Sequence, residues 1–288
     1  MPTLREVRRR IGGVQKTQKI TRAMKMVAAA KLRRAQSRVV TARPYARAIR
    51  DLLGDMASGA AAQTADLMAP RDVRKLRLVV ITSDRGFCGA FNSNLIKAAQ
   101  AHVASQASGV TADLVCVGRK GVDFFGRRGY RLAGRHPGVF TAPTYGWAQS
   151  LGAELIAAFR KGEVDRVDVI YNEFKSIAQS RIVIEQYLPV PPPPPGTAPK
   201  RLIDYIYEPD RPGILAALIP RHLSAQLWRM LLESSAAEEG ARMAAMENAT
   251  ENAREMIATL QLQYNKARQA AITTELLEVV SGAEALRG

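Results

Sequence analysis

ARMAAMENATENAREMIATLQLQYNKARQAA, residues 241–271, decides the architecture. Met243, Met246, Ala249, Ala253, Met256, Leu260, Tyr264, Ala267 and Ala271 step by three and four residues, which lays one apolar stripe along a helix. The stretch lies inside a longer helical segment: from Ile214 to Leu286 the one proline is Pro220, and the glycines are Gly240 and Gly282. The spacing predicts one helix of about 65 residues after Pro220, roughly 100 Å long at ~1.5 Å per residue. A helix of that length cannot bury its stripe inside a compact domain of a 288-residue chain, so it needs a partner helix.

The other end of the chain offers one. Leu4, Val7, Ile11, Val14, Gln18, Thr21, Lys25, Ala28, Leu32, Ala35, Val39, Ala42, Ala46, Ile49, Leu53 and Met56 form a seam of period near 3.5, the signature of a supercoiled pair. Polar residues interrupt it at Gln18, Thr21 and Lys25, as a layer that fixes register or as a place where the helix faces something other than its mate. Gly12, Gly13 and Pro44 weaken the helix locally, and Pro44 is expected to kink or break it. Both stripes are rich in alanine, so the backbones can approach closely. A folded middle separates them, which favours antiparallel or crossed pairing.

That middle has a different period. LRLVVITSD (76–84), TADLVCVG (111–118), VDRVDVIYNEF (164–174) and SRIVIEQYLPV (180–190) read as strands, with helices over 91–106, 119–128 and 147–161. Alternating strands and helices imply a mainly parallel sheet covered by helices. PPPPPGTAP (191–199) reads as a stiff polyproline-type loop, and RLIDYIYEP (201–209) as a last strand. The expected fold is α/β: a long antiparallel coiled coil of N- and C-terminal helices plus a Rossmann-like α/β domain. Its segments are 1–58, 74–209 (with a Pro-rich loop at 189–199) and 210–288.

The net charge of +16 is unevenly spread. Residues 1–50 hold 15 Lys or Arg against the single acid Glu6, whereas residues 213–288 hold seven against nine Glu. A basic segment of this length suits a partner of opposite sign: nucleic acid, an anionic surface or an acidic protein face. No apolar run reaches the roughly 20 residues of a membrane-spanning helix. MPTLREVRRR has no apolar signal core behind it, which does not indicate secretion; its Arg-rich start would also suit a transit peptide, but its helical periodicity runs on without a break, so it reads as mature protein. Two cysteines, Cys88 and Cys116, provide no disulfide or metal framework and suit a reduced compartment.

SDRGFCGAFN (83–92) stands where a first strand hands over to a helix, a position that often binds ligands in doubly wound sheets. It matches no phosphate-loop, dinucleotide or nucleophile-elbow spacing. A Cys88 nucleophile would need a base, and His102, His136 and His222 stand in no recognisable pairing with it. The plain reading is a tight glycine turn with Cys88 as a small buried hydrophobe. GRKGVDFFGRRG (118–129) is either an anion site at a helix N-terminus or a solvated connection.

KITRAMKMVAAAKLRRAQ (19–36), TSDRGFCGAFN (82–92), ARMAAMENAT (241–250) and LQYNKARQAAITTELLEVVSGAEAL (262–286) closely resemble the gamma subunit of F-type ATP synthases. The two terminal motifs are specific, the central domain matches mostly through its first strand and turn, and the polyproline run departs from the family. The resemblance implies a non-catalytic central-stalk rotor subunit, with no cofactor or metal of its own. It would be present once per proton-translocating complex, with alpha, beta, epsilon and c-ring subunits as partners and no nucleic acid. It further implies a position on the cytoplasmic face of a bacterial inner membrane, peripheral through the c-ring, and catalytic sites on the beta subunits. By motif match, the contacts with the alpha/beta ring would be Met24, Lys25, Arg242, Arg268, Gln269 and Thr273, with Leu276 to Leu286 as an apolar tip. Two other classes are a basic coiled coil that binds nucleic acid and a Rossmann-like hydrolase using Cys88.

Overall fold

The computed structural model describes residues 3–56, 66–176, 179–191 and 210–285. In chain order the elements are α1 (Leu4–Met56), β1 (Lys75–Ile81), α2 (Phe91–Ala104), β2 (Thr111–Val117), α3 (Arg119–Gly126), β3 (Leu132–His136), α4 (Tyr145–Arg160), β4 (Arg166–Phe174), β5 (Ser180–Leu188) and α5 (Arg211–Ala285). Contacts divide the chain into two compact units, Met1–Ala28 with Arg242–Gly288, and Ala29–Ala241.

The first unit is a helix pair. Thr3 and Glu6 start α1 with a reciprocal capping box: the Glu6 N–H donates to the Thr3 hydroxyl at 3.3 Å, and the Thr3 N–H to the Glu6 carboxylate at 3.0 Å. Val7, Thr21 and Ala28 on the expected seam are buried, and Leu4, Ile11, Val14, Gln18 and Lys25 are half-buried. The Thr21 and Thr250 hydroxyls lie 2.7 Å apart, and Lys25 pairs with Glu247. One number rises as the other falls, so the helices run antiparallel. On α5 the seam passes through Met246, Ala253 and Ile257. Met256, placed on the stripe by spacing, is 53% exposed, because the four-residue step from Ala253 leads to Ile257.

The second unit is built on a five-stranded sheet of order β3-β2-β1-β4-β5. β1 lies parallel to β2 and β4, β2 lies parallel to β3, and β4 pairs antiparallel with β5. β1 is covered on both faces, which is why it reads as a continuous apolar run. Val79 and Ile81 face a core formed with α4 (Leu151, Leu155, Phe159), the end of α1 (Leu53, Met56) and α5 (Leu223, Leu227, Met230). Leu78 and Val80 face the opposite core, formed with α2 (Leu95, Ala99) and α3 (Phe125). Leu32, Ala35, Val39, Ala46 and Ile49 carry the buried stripe along this part of α1.

Three readings change. β3 was not expected, since LAGRH has little strand character; it forms because the open edge of β2 offers a ladder, with the Gly118 N–H donating to the His136 carbonyl at 2.9 Å. α1 continues through Pro44 and α5 through Pro220, and α5 begins at Arg211 rather than after Pro220. Each proline removes one backbone donor, and the many remaining hydrogen bonds and the buried stripe carry the helix across the gap. Asp210 holds the start of α5, accepting the Gly213 N–H at 2.8 Å. The expected strand at 201–209 and the proline run from 192 onward lie outside the described residues.

Candidate partner-contact surface

The turn after β1 sits at the carboxyl edge of the parallel strands, where an open site would be expected. Its own residues fill it. One Asp84 carboxylate oxygen accepts the Arg119 N–H at 2.9 Å and the Gly138 N–H at 2.6 Å, and the other accepts the Phe140 N–H at 3.0 Å. The donors that would bind an anion at the start of α3 are thus engaged internally: the Arg119 N–H by this carboxylate, the Lys120 N–H by the Ser83 carbonyl at 3.1 Å and the Gly121 N–H by the Thr82 hydroxyl. Gly118 (φ +87°) lies so close beneath that a Cβ there would come within 2.0 Å of the Thr82 carbonyl oxygen. Thr82 donates from its hydroxyl to the Val117 carbonyl at 2.9 Å and accepts the Gly121 N–H at 2.8 Å, closing the crevice.

Cys88 is buried against Phe91 and Ala237, and the Asn92 side-chain amide lies 3.2 Å from its sulfur. The three histidines are engaged elsewhere. His102 bonds Asp168 at 2.8 Å, His136 stacks edge-on to Trp147, and His222 bonds Gln226 at 2.8 Å. A thiol nucleophile has no histidine base here. Among the described residues no cluster of three or more His, Cys, Asp and Glu is arranged to hold a metal ion.

The same turn shows something that spacing did not reveal. Phe87 has φ +61° and is 73% exposed, beside an exposed Arg85. A bulky non-glycine residue in the left-handed region stores about 1 kcal/mol or more of strain, and this one gains no burial in return. The available sequence signal was an aromatic residue flanked by glycines in an otherwise polar turn.

The six residues assigned by motif all fall within the helix-pair unit. Met24 and Lys25 are half-buried, and Lys25 bridges to Glu247. Arg242 is buried, at 8% exposure. Arg268, Gln269 and Thr273 are exposed, and the Thr273 hydroxyl donates to the Gln269 carbonyl at 2.9 Å. Stepping 17 residues from Thr21 back to Leu4, and the same distance from Thr250 on, ends at Ala267. That is where the described length of α1 ends. From Ile272 to Ala285 every residue is exposed, including Ile272, Leu276, Leu277, Val279 and Val280. A second bare apolar group, Ile20, Met26 and Val27, lies on α1 near the polar layer. No helix among the described residues is long and apolar enough to cross a membrane.

The family model described as ATP synthase matches residues 3–286. The ATP synthase gamma chain of Prosthecochloris aestuarii (strain DSM 271 / SK 413) is 49% identical, with all of both chains covered. That of Chlorobaculum tepidum (strain ATCC 49652 / DSM 12025 / NBRC 103806 / TLS) is 47% identical, again over both full chains. Among solved structures, a chain from the cryo-EM structure of the Tetrahymena thermophila mitochondrial ATP synthase central stalk and c-ring is similar. Its TM-score is 0.64 at 25% identity, covering 80% of this chain and 99% of that one. A chain from the Euglena gracilis mitochondrial ATP synthase has a TM-score of 0.69 at 21% identity, covering 98% and 94%, and supports the fold.

Proposed function

Because the chain belongs to the ATP synthase gamma-chain family, we propose that it is the central-stalk rotor of an F-type ATP synthase, carrying rotation of a c-ring to catalytic sites on neighbouring beta subunits. The observation that carries the mechanism is the bare end of α5. A helix that leaves its own partner with Leu276, Leu277, Val279 and Val280 exposed is suited to a surrounding bearing rather than to solvent. Two helices wrapped along a seam resist twisting better than one. The exposed basic residues of α1 attract acidic partner segments at roughly 0–1 kcal/mol each, weak enough to release on every turn. The shaft acts by contacting different conformations of its partners unequally, and such differential contact is what shifts their states.

On this reading Met24, Lys25, Arg242, Arg268, Gln269 and Thr273 contact the alpha/beta ring, and Arg85 and Phe87 join them on exposure and backbone strain. Residues 1–58 and 210–288 serve as the shaft and 74–209 as the body that meets the c-ring and epsilon. One copy per complex is held at the cytoplasmic face of a bacterial inner membrane through the c-ring. On this reading the chemistry belongs to the beta subunits, and Cys88→Ser is expected to leave activity near normal. The relatives above are ATP synthase gamma chains, which leaves the nucleic-acid-binding and Cys88-hydrolase readings without support.

Purification of the tagged chain from membranes tests the assignment. Alpha and beta subunits should co-purify in stoichiometric amounts, and their absence overturns the rotor reading. Gln269→Leu and Arg268→Leu should weaken coupling or assembly without unfolding the chain. Unchanged ATP synthesis in both removes those two contacts.

A further inference from the structure

Arg229 sits on α5 at the only point where a single side chain reaches both of the last two strands among the described hydrogen bonds. One guanidinium nitrogen donates to the Tyr171 hydroxyl on β4 at 2.9 Å and approaches Glu233 at 3.4 Å; the other donates to Glu185 on β5 at 2.7 Å. The Tyr171 hydroxyl in turn donates to Glu185. The far oxygen of Glu233 lies 3.8 Å from Arg43 on α1. One network therefore ties α1, β4, β5 and α5 within the sheet unit. A turn further along α5, the Ser234 hydroxyl accepts the Asn172 N–H of β4 at 3.1 Å.

The surroundings make this arrangement hard to explain by stability. Glu233 is buried at 3% exposure, and Leu227, Met230 and Leu231 beside it are at 0–1%. Removing charges from water costs several kcal/mol per ion, so buried ion pairs are weak contributors to stability. What they add is direction. Apolar contacts resist separation but let two faces slide, whereas a planar fork of charge-assisted hydrogen bonds holds one register. An element that slides under load would lose rotation as shear between sheet and helix.

We propose that Arg229 is a positioning residue that locks the sheet to the shaft helix against shear, so that turning force applied at the sheet reaches α5 without slip. The proposal rests on the rotor reading above. Tyr171, Glu185 and Glu233 hold the guanidinium, and Ser234 with Asn172 supplies the second tie.

The test uses the whole complex purified from membranes. Ser105→Cys, exposed beyond the end of α2, carries a bead, while Cys88 and Cys116 are buried and silent. With the catalytic ring held in the non-hydrolysable analogue AMP-PNP, the angular variance of the bead reports the torsional compliance between sheet and ring. Arg229→Met should raise that variance at least about twofold, and Arg229→Lys, which keeps the charge but not the fork, should fall between. Proton pumping per ATP hydrolysed should drop in the same order. An Arg229→Met complex with wild-type variance and pumping overturns the proposal. If Arg229→Met does not assemble, Tyr171→Phe and Glu185→Gln, which keep shape, decide: a raised variance supports the lock, and wild-type variance in both overturns it. Failure of the rotor reading looks different, since the wild-type bead would then not turn with ATP at all.

Discussion

α5 lives in two surroundings. Between Leu215 and Ala237 it lies against the sheet and α1, with Leu215, Ile219, Leu223, Leu227, Met230 and Leu231 at 0–2% exposure. Between Ile272 and Ala285 the same helix carries Ile272, Leu276, Leu277, Val279 and Val280 at 47–70% exposure. The residue types are alike, and burial of each such side chain is worth roughly 1.5–3 kcal/mol in either place. What differs is the supply of neighbours: among the described residues, α1 begins at Leu4, which register places opposite Ala267. An apolar stripe shows that something covers a helix. Whether the cover is the chain itself or another molecule depends on register and length.

The largest way to break this contrast is to place a charge in the buried stretch. Leu231→Asp puts a carboxylate among Met230, Leu227 and the sheet, where an unpaired charge costs many kcal/mol, so the chain should fail to accumulate in soluble form. The milder Met230→Ala leaves a cavity and should cost about 2–5 kcal/mol by thermal or urea unfolding. If Met230→Ala costs no more than a surface change, the buried stretch is not the core described here.

A smaller effect separates the stretches by pH. His222 is buried, and burial first, then Arg50 and Arg229, lower its pKa from 6.5 to about 4. The unfolded chain binds a proton more readily than the folded one. Stability is therefore full above about pH 6.5 and lost as pH falls toward 4, by at most roughly 3 kcal/mol. Urea unfolding at pH 7.5 and pH 5 should show this fall in the wild type. His222→Gln should flatten it; an equal fall in both would assign it to other groups.

How much of this was legible in the sequence differs by element. The α1 seam was readable because its period is long and its neighbours are charged: no residue from Leu4 to Met56 placed on it is exposed. β1 was readable because both its faces are buried. β3 was not, since a short edge strand is recruited by the ladder of β2 rather than by its own residues. The break expected at Pro44 and the helix start expected after Pro220 misled because local propensity counts one missing hydrogen bond, and tertiary packing outweighs it. Within the proposed contact surface the family motif led to Arg268, Gln269 and Thr273, all exposed, but spacing could not reveal the strained backbone of Phe87. Nor could it show that Asp84 closes its own crevice, which needs three N–H groups from Arg119, Gly138 and Phe140, two of them more than fifty residues away.

Between the buried and bare stretches lies the polar layer, and changes there should be modest. Thr250→Ala removes a hydroxyl shared with Thr21 and should cost about 1 kcal/mol. Thr21→Ala combined with it should cost less than the two singly, since the second change removes an already broken bond. Strict additivity in urea unfolding would mean that the two hydroxyls do not interact.

The smallest effect on stability is expected at the bare end. Leu276 is 60% exposed, so Leu276→Ser uncovers little that was covered and should move the unfolding midpoint of the chain by no more than about 0.5 kcal/mol in equivalent free energy. Serine lowers local helix propensity by a few tenths of a kcal/mol, which fits inside that window. The same change removes apolar area from the surface assigned to a bearing, so its cost should appear only when partners are present, as a lower yield of assembled complex or a loss of coupling. Stability and assembly thus separate at Leu276 and coincide at Met230. A Leu276→Ser chain that unfolds far more easily by itself would show that this end is covered by its own molecule, and the contrast along α5 would collapse.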